Sequence, residues 1–256
     1  MNFFIMNYQS TTIKSKWTKT KWLLESTRIK KYIPRTLPFT YNNLKFMISE
    51  YSTVYFKPVS GAGGHHIVRI TQIGGSYQTQ HKSVKKRYST IDGLYEYLKK
   101  HTKGGDYLLQ KGIKLATVKG RPFDIRVMVQ KTNRDVWKST AIFVKIGRPN
   151  SVATNYNQGG TIGYFSRTLT LAGFRKTQIN RITEELITLG ESVGTIFNQH
   201  DPGFQELGLD VALDKGGNIW ILEVNTRPQI YPLKQMKDKS MYYRILSYAK
   251  QYGRRK

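Results

Sequence analysis

Two carboxylates and one amide near the carboxyl end have the types and spacing of a magnesium site. Asp210 lies in the apolar segment LGLDVALD, and Glu223 and Asn225 lie in WILEVN. Residues two apart on a strand share one face, so Glu223 and Asn225 project together. The short glycine-containing turn between the two segments predicts a hairpin that places Asp210 beside Glu223. Carboxylate and amide oxygens suit Mg²⁺, and neighbouring carboxylates repel each other without a cation.

The alternative for these three residues is a solvated sheet face that carries polar side chains. Their neighbours are strongly apolar, which favours buried strands, and a buried charge needs a partner or a metal ion. The sequence therefore predicts that Asp210, Glu223 and Asn225 bind Mg²⁺.

A lysine and a glycine-rich turn near residue 60 have the composition of a phosphate-binding loop. Lys57 ends a predicted strand, and Ser60-Gly61-Ala62-Gly63-Gly64 follows. Glycines let backbone N–H groups approach phosphate oxygens, and the lysine adds a positive charge. The GxxxxGK[ST] motif of P-loop proteins is absent, as are the HRD and DFG motifs of protein kinases. Taken by itself, this segment also fits a plain flexible turn.

The composition limits the classes of protein to which the chain can belong. Its 256 residues suffice for one large domain or two small lobes, and 39% of them are apolar. The absence of cysteine excludes disulfides, a thiolate nucleophile and cysteine-based zinc sites. No apolar stretch approaches a transmembrane helix or a signal-peptide core, which predicts a cytoplasmic protein. The five histidines show no metal-ligand spacing, and His65 and His66 are interpreted as bystanders beside the glycine-rich turn.

Positive charge dominates the chain, with 42 Lys and Arg against 16 Asp and Glu and a formal net charge of +26. Such a charge attracts polyanions, including nucleotides, nucleic acids and acidic polymers. Cations interleave with Trp17 and Trp22 between residues 14 and 31, a composition that can hold single strands, and further cations cluster at 82–87 and 254–256. Solvated surfaces are the favoured alternative because no nucleic-acid recognition motif is present.

Hydrophobic periodicity and turn residues predict an α+β fold built from consecutive hairpins. Apolar residues at helical spacing over 177–197 predict a long helix with one buried face. Gly74–Gly75, a turn near Asn133 and the turn at 215–217 each predict an antiparallel hairpin. The segment 148–163 is polar and glycine-rich and is interpreted as a loop. The predicted domains are a basic helical lead-in at 1–50, a small lobe at 51–115 and a large lobe at 116–256.

The order of these features resembles the ATP-grasp superfamily, and in particular the YheC/YheD-type proteins of spore-forming bacteria, called endospore coat-associated. In that superfamily a strand lysine, a glycine-rich loop, a hinge strand and an acidic hairpin ending in E-x-N follow one another. Each motif alone is weak, but five matching sequence stretches in this order over roughly residues 34–233 are specific. The stretches that carry the resemblance are YFKPVSGAGG, LLQKGIKL, PFDIRVMVQK, ATNYNQGGTIGYF and LGLDVALDKGGNIWILEVN.

The resemblance implies two lobes, each with an antiparallel sheet and helices, that bind ATP and Mg²⁺ between them. It assigns the acidic hairpin to one or two Mg²⁺ ions, with Mn²⁺ as an alternative, and it assigns Arg126 to the transferring phosphate or the acyl phosphate. Asn157 and the glycine pair after it resemble the N-x-x-G-G loop near the reacting groups of the glutathione synthetase and RimK-like branch. Lys145 and Arg148 are candidates to assist, with solvated surface as an equal alternative for each. The residues that the resemblance assigns to ATP are Lys57, Ser60, Gly61, Gly63 and Gly64 at the phosphates and Gln110, Lys111 and Ile113 at the adenine-binding hinge, with Lys145 as a further candidate.

The activity that the resemblance implies is ATP-dependent ligation through an acyl phosphate. A carboxylate attacks the γ-phosphate, and an amine or a thiol then displaces phosphate; acidic peptides and anionic polymers fit the basic charge as substrates. No acid stands in the QKGI hinge, where many ATP-grasp enzymes bind ribose. A catalytically weak structural protein associated with the spore coat is the second hypothesis, because the segment before Lys57 is short for a substrate-binding domain. A nucleic-acid binder is the third hypothesis.

Overall fold

Two antiparallel sheets with helices packed against them form the molecule, which confirms the predicted α+β class. The computed structural model describes residues 8–61, 63–64, 66–149, 154 and 159–254. Each sheet gathers its strands from one part of the chain, so the two sheets define two lobes. The first sheet with its helices is the small lobe, and the second sheet with its helices is the large lobe.

Six strands form the sheet of the small lobe: β1 (Thr36–Pro38), β2 (Thr53–Pro58), β3 (Val68–Ile73), β4 (Ser76–His81), β5 (Val84–Tyr88) and β6 (Tyr107–Lys111). Their order across the sheet is β1-β6-β2-β3-β4-β5, with antiparallel neighbours throughout. The predicted hairpin at Gly74–Gly75 is confirmed, and both glycines have the positive φ angles that such a turn requires, 53° and 75°.

The sheet of the large lobe also has six strands: β7 (Thr117–Val118), β8 (Arg121–Lys131), β9 (Trp137–Ile146), β10 (Thr161–Tyr164), β11 (Glu206–Leu213) and β12 (Ile219–Asn225). The order is β10-β9-β8-β11-β12, and the short strand β7 pairs with β8. The hairpins predicted near Asn133 and at 215–217 are confirmed. The end of the segment predicted as a loop instead forms β10, which pairs with β9.

Helices cover both sheets: α1 (Lys16–Glu25), α2 (Tyr41–Glu50), α3 (Ile91–Thr102), α4 (Phe165–Leu171), α5 (Lys176–His200) and α6 (Ser240–Ala249). The long helix α5 was predicted from its apolar periodicity and packs its apolar face on the large-lobe sheet. Gly194 permits this packing, because a Cβ there would lie 2.4 Å from the Trp137 ring. The helices α2 and α3 pack against the small-lobe sheet around the fully buried Leu44 and Leu94.

Strand β8 shows how alternation sorts side chains between the two faces of the large-lobe sheet. Ile125, Val127 and Val129 belong to the apolar cluster beneath α5, whereas Met128 belongs to a second cluster beneath α6. Because side chains alternate along a strand, Arg126 shares the face of Met128. Polar residues at the even positions of β8 therefore lie on the face opposite α5.

The segment before residue 51 is divided between the two lobes. Leu23 and Ile29 join the apolar cluster of the large lobe, whereas Leu44 and Met47 belong to the core of the small lobe. Strand β1 also adds an edge to the small-lobe sheet, where it pairs with β6. The predicted domain boundaries at 50/51 and 115/116 stay predictions. The described residues before 51 pack into the cores of both lobes, so packing does not separate a lead-in from the lobes.

The exposed cations of the small lobe lie on an edge strand. Lys85, Lys86 and Arg87 follow one another on β5, which pairs on one side only and which the sequence did not indicate. Charged side chains on an edge strand hinder pairing with another sheet, so these cations have a structural explanation. Among the described helices, none is long and apolar enough to cross a membrane.

Candidate active site

A cleft of about 970 Å³ lies between the two sheets and is lined by residues of both lobes. Most of the residues that the sequence singled out for chemistry line this cleft. Ser60 and Arg148 are not among them, and Asn157 lies outside the described residues. The small lobe contributes Lys57, Gly61, Gly63, Gly64, Gln110, Lys111 and Ile113. The large lobe contributes Arg126, Lys145, Asp210, Glu223 and Asn225.

The hairpin of β11 and β12 brings the predicted metal-binding residues together. Asp210 pairs with Glu223 across the two strands, and Gly208 pairs with Asn225, so the predicted register is confirmed. The Asn225 amide Nδ2 donates to Asp210 Oδ2 at 3.1 Å and to the Gly208 carbonyl at 3.2 Å. The three side chains therefore form one polar group on the large-lobe wall of the cleft.

Protein cations neutralise Asp210. Arg126 Nε lies 2.7 Å from Asp210 Oδ1, and Lys145 Nζ lies 2.9 Å from the same oxygen. Burial alone would raise the pKa of Asp210, but the two cations outweigh it and hold the pKa well below its usual range. For Arg126 the signs are reversed: burial alone would lower the pKa of the guanidinium. Asp210 outweighs burial, so the pKa of Arg126 is raised.

Lys145 links Asp210 to a second buried carboxylate on β8. Its Nζ lies 3.1 Å from Asp124 Oδ1, and Thr154 Oγ1 donates to the other Asp124 oxygen. Burial raises the pKa of Asp124, and Lys145 opposes that effect. Lys145 is itself only 6% exposed, so the alternative of a solvated surface residue is wrong. Buried cations and acids thus alternate across β8, β9 and β11.

Glu223 is approached by two lysines that the sequence did not assign to the site. Nζ of Lys16 and Nζ of Lys19 lie 3.6 and 3.9 Å from Glu223 Oε1. Lys16 also donates to the Gly61 carbonyl at 2.6 Å, which connects α1 to the glycine-rich loop. Both lysines are buried on α1, and burial lowers the pKa of Lys19. Their burial could not be read from a basic segment without knowing where α1 packs.

The basic segment at 14–31 does not form one open platform for a nucleic acid. Trp22 stacks on His200 with ring centroids 4.3 Å apart and meets Phe197 edge to face. At the other end of the chain, Arg254 pairs with the buried Glu206. Trp22 and Arg254 are thus engaged within the protein, which leaves the third hypothesis resting on bulk charge and on the exposed cations.

Lys57 joins the small lobe to the large lobe at the floor of the cleft. Its Nζ donates to Gln110 Oε1 at 2.8 Å and to the Leu222 carbonyl at 3.1 Å. Gln110 is held in turn, because its Nε2 donates to Thr36 Oγ1 at 3.0 Å. Burial lowers the pKa of Lys57 to about 8, with Glu223 opposing that effect and Lys16 adding to it. An anion in the cleft would raise this pKa again, because it favours the charged amine.

The hinge predicted to hold adenine leads from β6 into the cleft. The Gly112 N–H donates to the Thr53 carbonyl at 2.8 Å and anchors the backbone just before Ile113. Lys111 Nζ lies over the rings of Tyr51 and Trp220, at 5.2 and 5.1 Å from their centroids. Its charge is therefore directed to aromatic faces of both lobes rather than to a carboxylate.

The described ends of the N-x-x-G-G region lie beside another predicted cation. Gly159 has a φ of 82°, and the Arg148 guanidinium occupies the space that a Cβ of residue 159 would need. A side chain there would meet both backbone strain and the guanidinium. Arg148 thus packs against this glycine.

Arg227, which follows the metal-binding residues in the chain, also lines the cleft. Its guanidinium carbon lies 5.0 Å from the centroid of the Tyr8 ring.

The oxygen donors of the acidic hairpin fit Mg²⁺. Among the described residues, no hydrogen bond uses Glu223 Oε2 or Asn225 Oδ1. Mg²⁺ takes one or two carboxylates and completes its shell with water and phosphate oxygens. Because lysines and an arginine already relieve the repulsion between Asp210 and Glu223, the fit depends on these oxygens and not on unbalanced charge.

Two antiparallel sheets that face each other across this cleft define the ATP-grasp fold, as predicted. The C-terminal domain of K. lactis Pby1, an ATP-grasp enzyme interacting with the mRNA decapping enzyme Dcp2, matches 94% of this chain and 74% of its own (TM-score 0.54, 12% identity). An N5-carboxyaminoimidazole synthase from Aspergillus clavatus, solved with ADP, matches with TM-score 0.56 and 14% identity over 94% and 54% of the two chains. At these identities the likeness shows the fold alone.

The chain belongs to the YheC/D-like ATP-grasp family, whose family model matches residues 5–254. Endospore coat-associated protein YheD of Bacillus subtilis is 29% identical over 224 residues, which are 85% of this chain and 49% of YheD. Endospore coat-associated protein YheC of the same organism is 25% identical over 84% of this chain and 60% of YheC. The chain thus spans about half the length of YheD and three-fifths of YheC.

Proposed function

We propose that this protein is an ATP-dependent ligase that activates a carboxylate as an acyl phosphate. The observation that carries the proposal is the cleft itself, in which Lys57 of one lobe faces Arg126 and Lys145 of the other beside a group of oxygen donors. Three cations that line one cleft, two of them positioned by Asp210 and Asp124, suit a triphosphate with Mg²⁺, because phosphoryl transfer needs positioning and charge neutralisation more than a protein nucleophile.

The proposed chemistry uses each group for binding or charge compensation. A substrate carboxylate oxygen attacks the γ-phosphorus, the bond to the bridging oxygen breaks, and ADP leaves. An amine or a thiol then attacks the acyl carbon, phosphate leaves, and the nucleophile loses its proton to solvent. Lys57 would bind ATP phosphates, Gln110 would orient Lys57, and Arg126 would bind the transferring phosphoryl group. Mg²⁺ held by Asp210, Glu223 and Asn225 would neutralise phosphate charge.

Binding and turnover are tested separately. Calorimetric titration with Mg-ATP should give one site, and Lys57→Met should weaken it by roughly 10- to 100-fold, the range for loss of a charge-assisted hydrogen bond. The matched control is Lys85→Met, which removes an exposed lysine from the same sheet and should leave the affinity unchanged. Equal affinity for both variants and the unmodified protein would exclude the cleft as the ATP site.

Turnover is tested with hydroxylamine, which captures an acyl phosphate as a hydroxamate whatever the natural nucleophile is. Amino acids, acidic peptides and fragments of anionic polymers form the panel of acids, because they complement the net charge of +26. Hydroxamate that requires ATP and Mg²⁺, together with ADP release, supports the ligase. ATP binding without either product across the panel supports the structural alternative.

The second candidate function is a spore-coat protein that keeps the fold and nucleotide site with little turnover. The observation that favours it is the description of two curated relatives as endospore coat-associated. Immunogold labelling of sporulating cells of the source organism would locate the protein, and hydroxamate formation by the purified protein would show whether the coat protein is also an enzyme.

A further inference from the structure

Three histidines from separate elements of the small lobe converge at one point, away from the acidic hairpin. His66 follows the glycine-rich loop, His81 ends β4, and His101 lies in the last turn of α3. One ring nitrogen of each lies within 4.8 Å of one ring nitrogen of the other two. These three residues are called the histidine cluster, and their spacing along the chain shows no ligand motif, which is why the sequence predicted a bystander role for His66. His65, for which the same role was predicted, lies outside the described residues.

The histidine cluster contains polar atoms that the described protein does not satisfy. Nε2 of His81 and Nε2 of His101 are buried, and neither has a hydrogen-bond partner among the described residues. Buried polar atoms are nearly always paired, so two unpaired imidazole nitrogens in one group need a reason. A ligand that accepts their lone pairs provides that reason.

Three ring nitrogens within 4.8 Å of one another suit a metal ion, which needs several lone pairs directed at one point. Burial lowers the pKa of His81, and the neighbouring His101 adds to the effect. Burial also lowers the pKa of His101. A neutral imidazole presents a lone pair to a metal ion, whereas a protonated ring cannot.

We propose that His66, His81 and His101 bind one divalent transition-metal ion of the zinc type. Imidazole nitrogen suits zinc, and the chain has no cysteine that would compete for the ion. Three histidines leave a fourth position on a tetrahedral ion, which a water molecule would fill. Bonds of about 2.1 Å require the nitrogens to approach to roughly 3.4 Å of one another, which needs only a modest closure of the cluster.

Occupancy of this site would fix the end of the glycine-rich loop. His66 lies two residues after Gly64, and a metal ion would tie it to β4 and to α3. The metal site does not depend on the function of the cleft. An effect of the ion on nucleotide affinity would additionally require the proposed ATP binding by Lys57 and the loop.

The test uses the full, untagged chain after treatment with a chelator. Zn²⁺ is titrated by calorimetry, and Co²⁺ is titrated by visible absorption, which reports coordination geometry. We expect one equivalent of either ion, and a loss of affinity of roughly tenfold or more in each of His66→Ala, His81→Asn and His101→Gln. The matched control is His200→Gln, which should bind like the unmodified protein because His200 stacks on Trp22 instead.

Two further variants locate the ion. His66→Ala alters an exposed side chain, so its circular dichroism and melting should match the unmodified apoprotein, and lost zinc affinity then reports a lost ligand. Glu223→Gln should keep the zinc affinity while it impairs Mg-ATP binding, because it changes only the cleft. Absence of stoichiometric zinc binding overturns the proposal. So does zinc binding that survives all three histidine variants and disappears in Glu223→Gln.

The titrations distinguish a wrong metal site from a wrong ATP site. If the chain does not bind Mg-ATP, the zinc titration of the unmodified protein still gives one equivalent and still depends on the three histidines. If the metal site is wrong, Mg-ATP titrations keep their dependence on Lys57 and lose any dependence on added Zn²⁺.

Discussion

The cleft between the lobes and the histidine cluster differ in how their buried polar groups are paired. In the cleft Asp210 is paired with Arg126 and Lys145 before any ligand arrives. In the histidine cluster the buried Nε2 atoms of His81 and His101 have no hydrogen-bond partner in the described part of the protein. The comparison indicates that the cleft is preorganised by its own charges, whereas the cluster is completed by an added ion.

The largest expected effect comes from removing the central charge of the cleft. Asp210→Asn leaves Arg126 buried without its carboxylate partner, so we expect the free energy of unfolding to fall by about 3–5 kcal/mol. Urea denaturation measures this change. The control is Asp135→Asn, whose side chain is 85% exposed and should contribute less than about 1 kcal/mol.

The same variant tests whether the cleft and the histidine cluster are independent sites. Asp210→Asn should keep the zinc affinity of the unmodified protein, provided that it is folded at the temperature of the titration. A loss of stability no greater than that of Asp135→Asn would mean that the charges of the cleft do not depend on one another. Loss of zinc affinity in the folded variant would mean that the two sites are not separate.

A second expected effect is a pH dependence of nucleotide binding that originates in Lys57. Its pKa of about 8 in the free protein means that the amine loses its proton as the pH rises above that value. Triphosphate favours the charged amine, so the affinity should be highest below pH 8 and should decline above it. Calorimetry of Mg-ATP binding in buffers of different ionisation enthalpy should detect proton uptake near and above pH 8, where part of the free protein has lost the Lys57 proton.

Lys57→Arg serves as the matched control, since a guanidinium stays charged throughout this pH range. Its affinity for Mg-ATP should be lower in absolute value but nearly constant with pH. A flat profile for the unmodified protein, or the same decline in Lys57→Arg, would assign the dependence to another group.

The smallest effect is expected from Lys16, which connects α1 to the glycine-rich loop through the Gly61 carbonyl. Lys16→Gln shortens the side chain and removes one charge near Glu223, so Mg-ATP affinity should fall by roughly tenfold, or about 1.4 kcal/mol. Lys14→Gln is the control because Lys14 is exposed two residues earlier. Equal affinities for the two variants would show that α1 supports the fold without contributing to the cleft.

Elements with strong local signals were predictable from the sequence. The periodic apolar residues of α5 and the turn residues of three hairpins predicted these elements, and period-two alternation with a short turn predicted the pairing of Asp210 with Glu223. The short strand β1 and the lysine-rich strand β5 were missed. Their composition carries little signal, and pairing with β6 and β4 is what makes them strands.

Side-chain partners within the candidate site were less predictable than the strands that carry them. Arg126 and Asp210 could be placed on strands, but their contact depends on which strands are neighbours in the sheet. Lys16 looked like one cation in a solvated segment, and only the packing of α1 against the large lobe buries it beside Glu223. The histidine cluster needs a loop, a strand and a helix to meet, which no local spacing encodes.

The sequence by itself determined the order of the hairpins and the long helix, because turns and alternation are set by neighbouring residues. It also determined which types of side chain each lobe can contribute to the cleft. The tertiary structure decided which charges meet. Ion pairs and metal ligands act over a few ångströms in space, and residues far apart along the chain reach that distance only when the sheets pack. For this reason only the tertiary structure shows that Lys145 is buried and that the three histidines of the histidine cluster lie together.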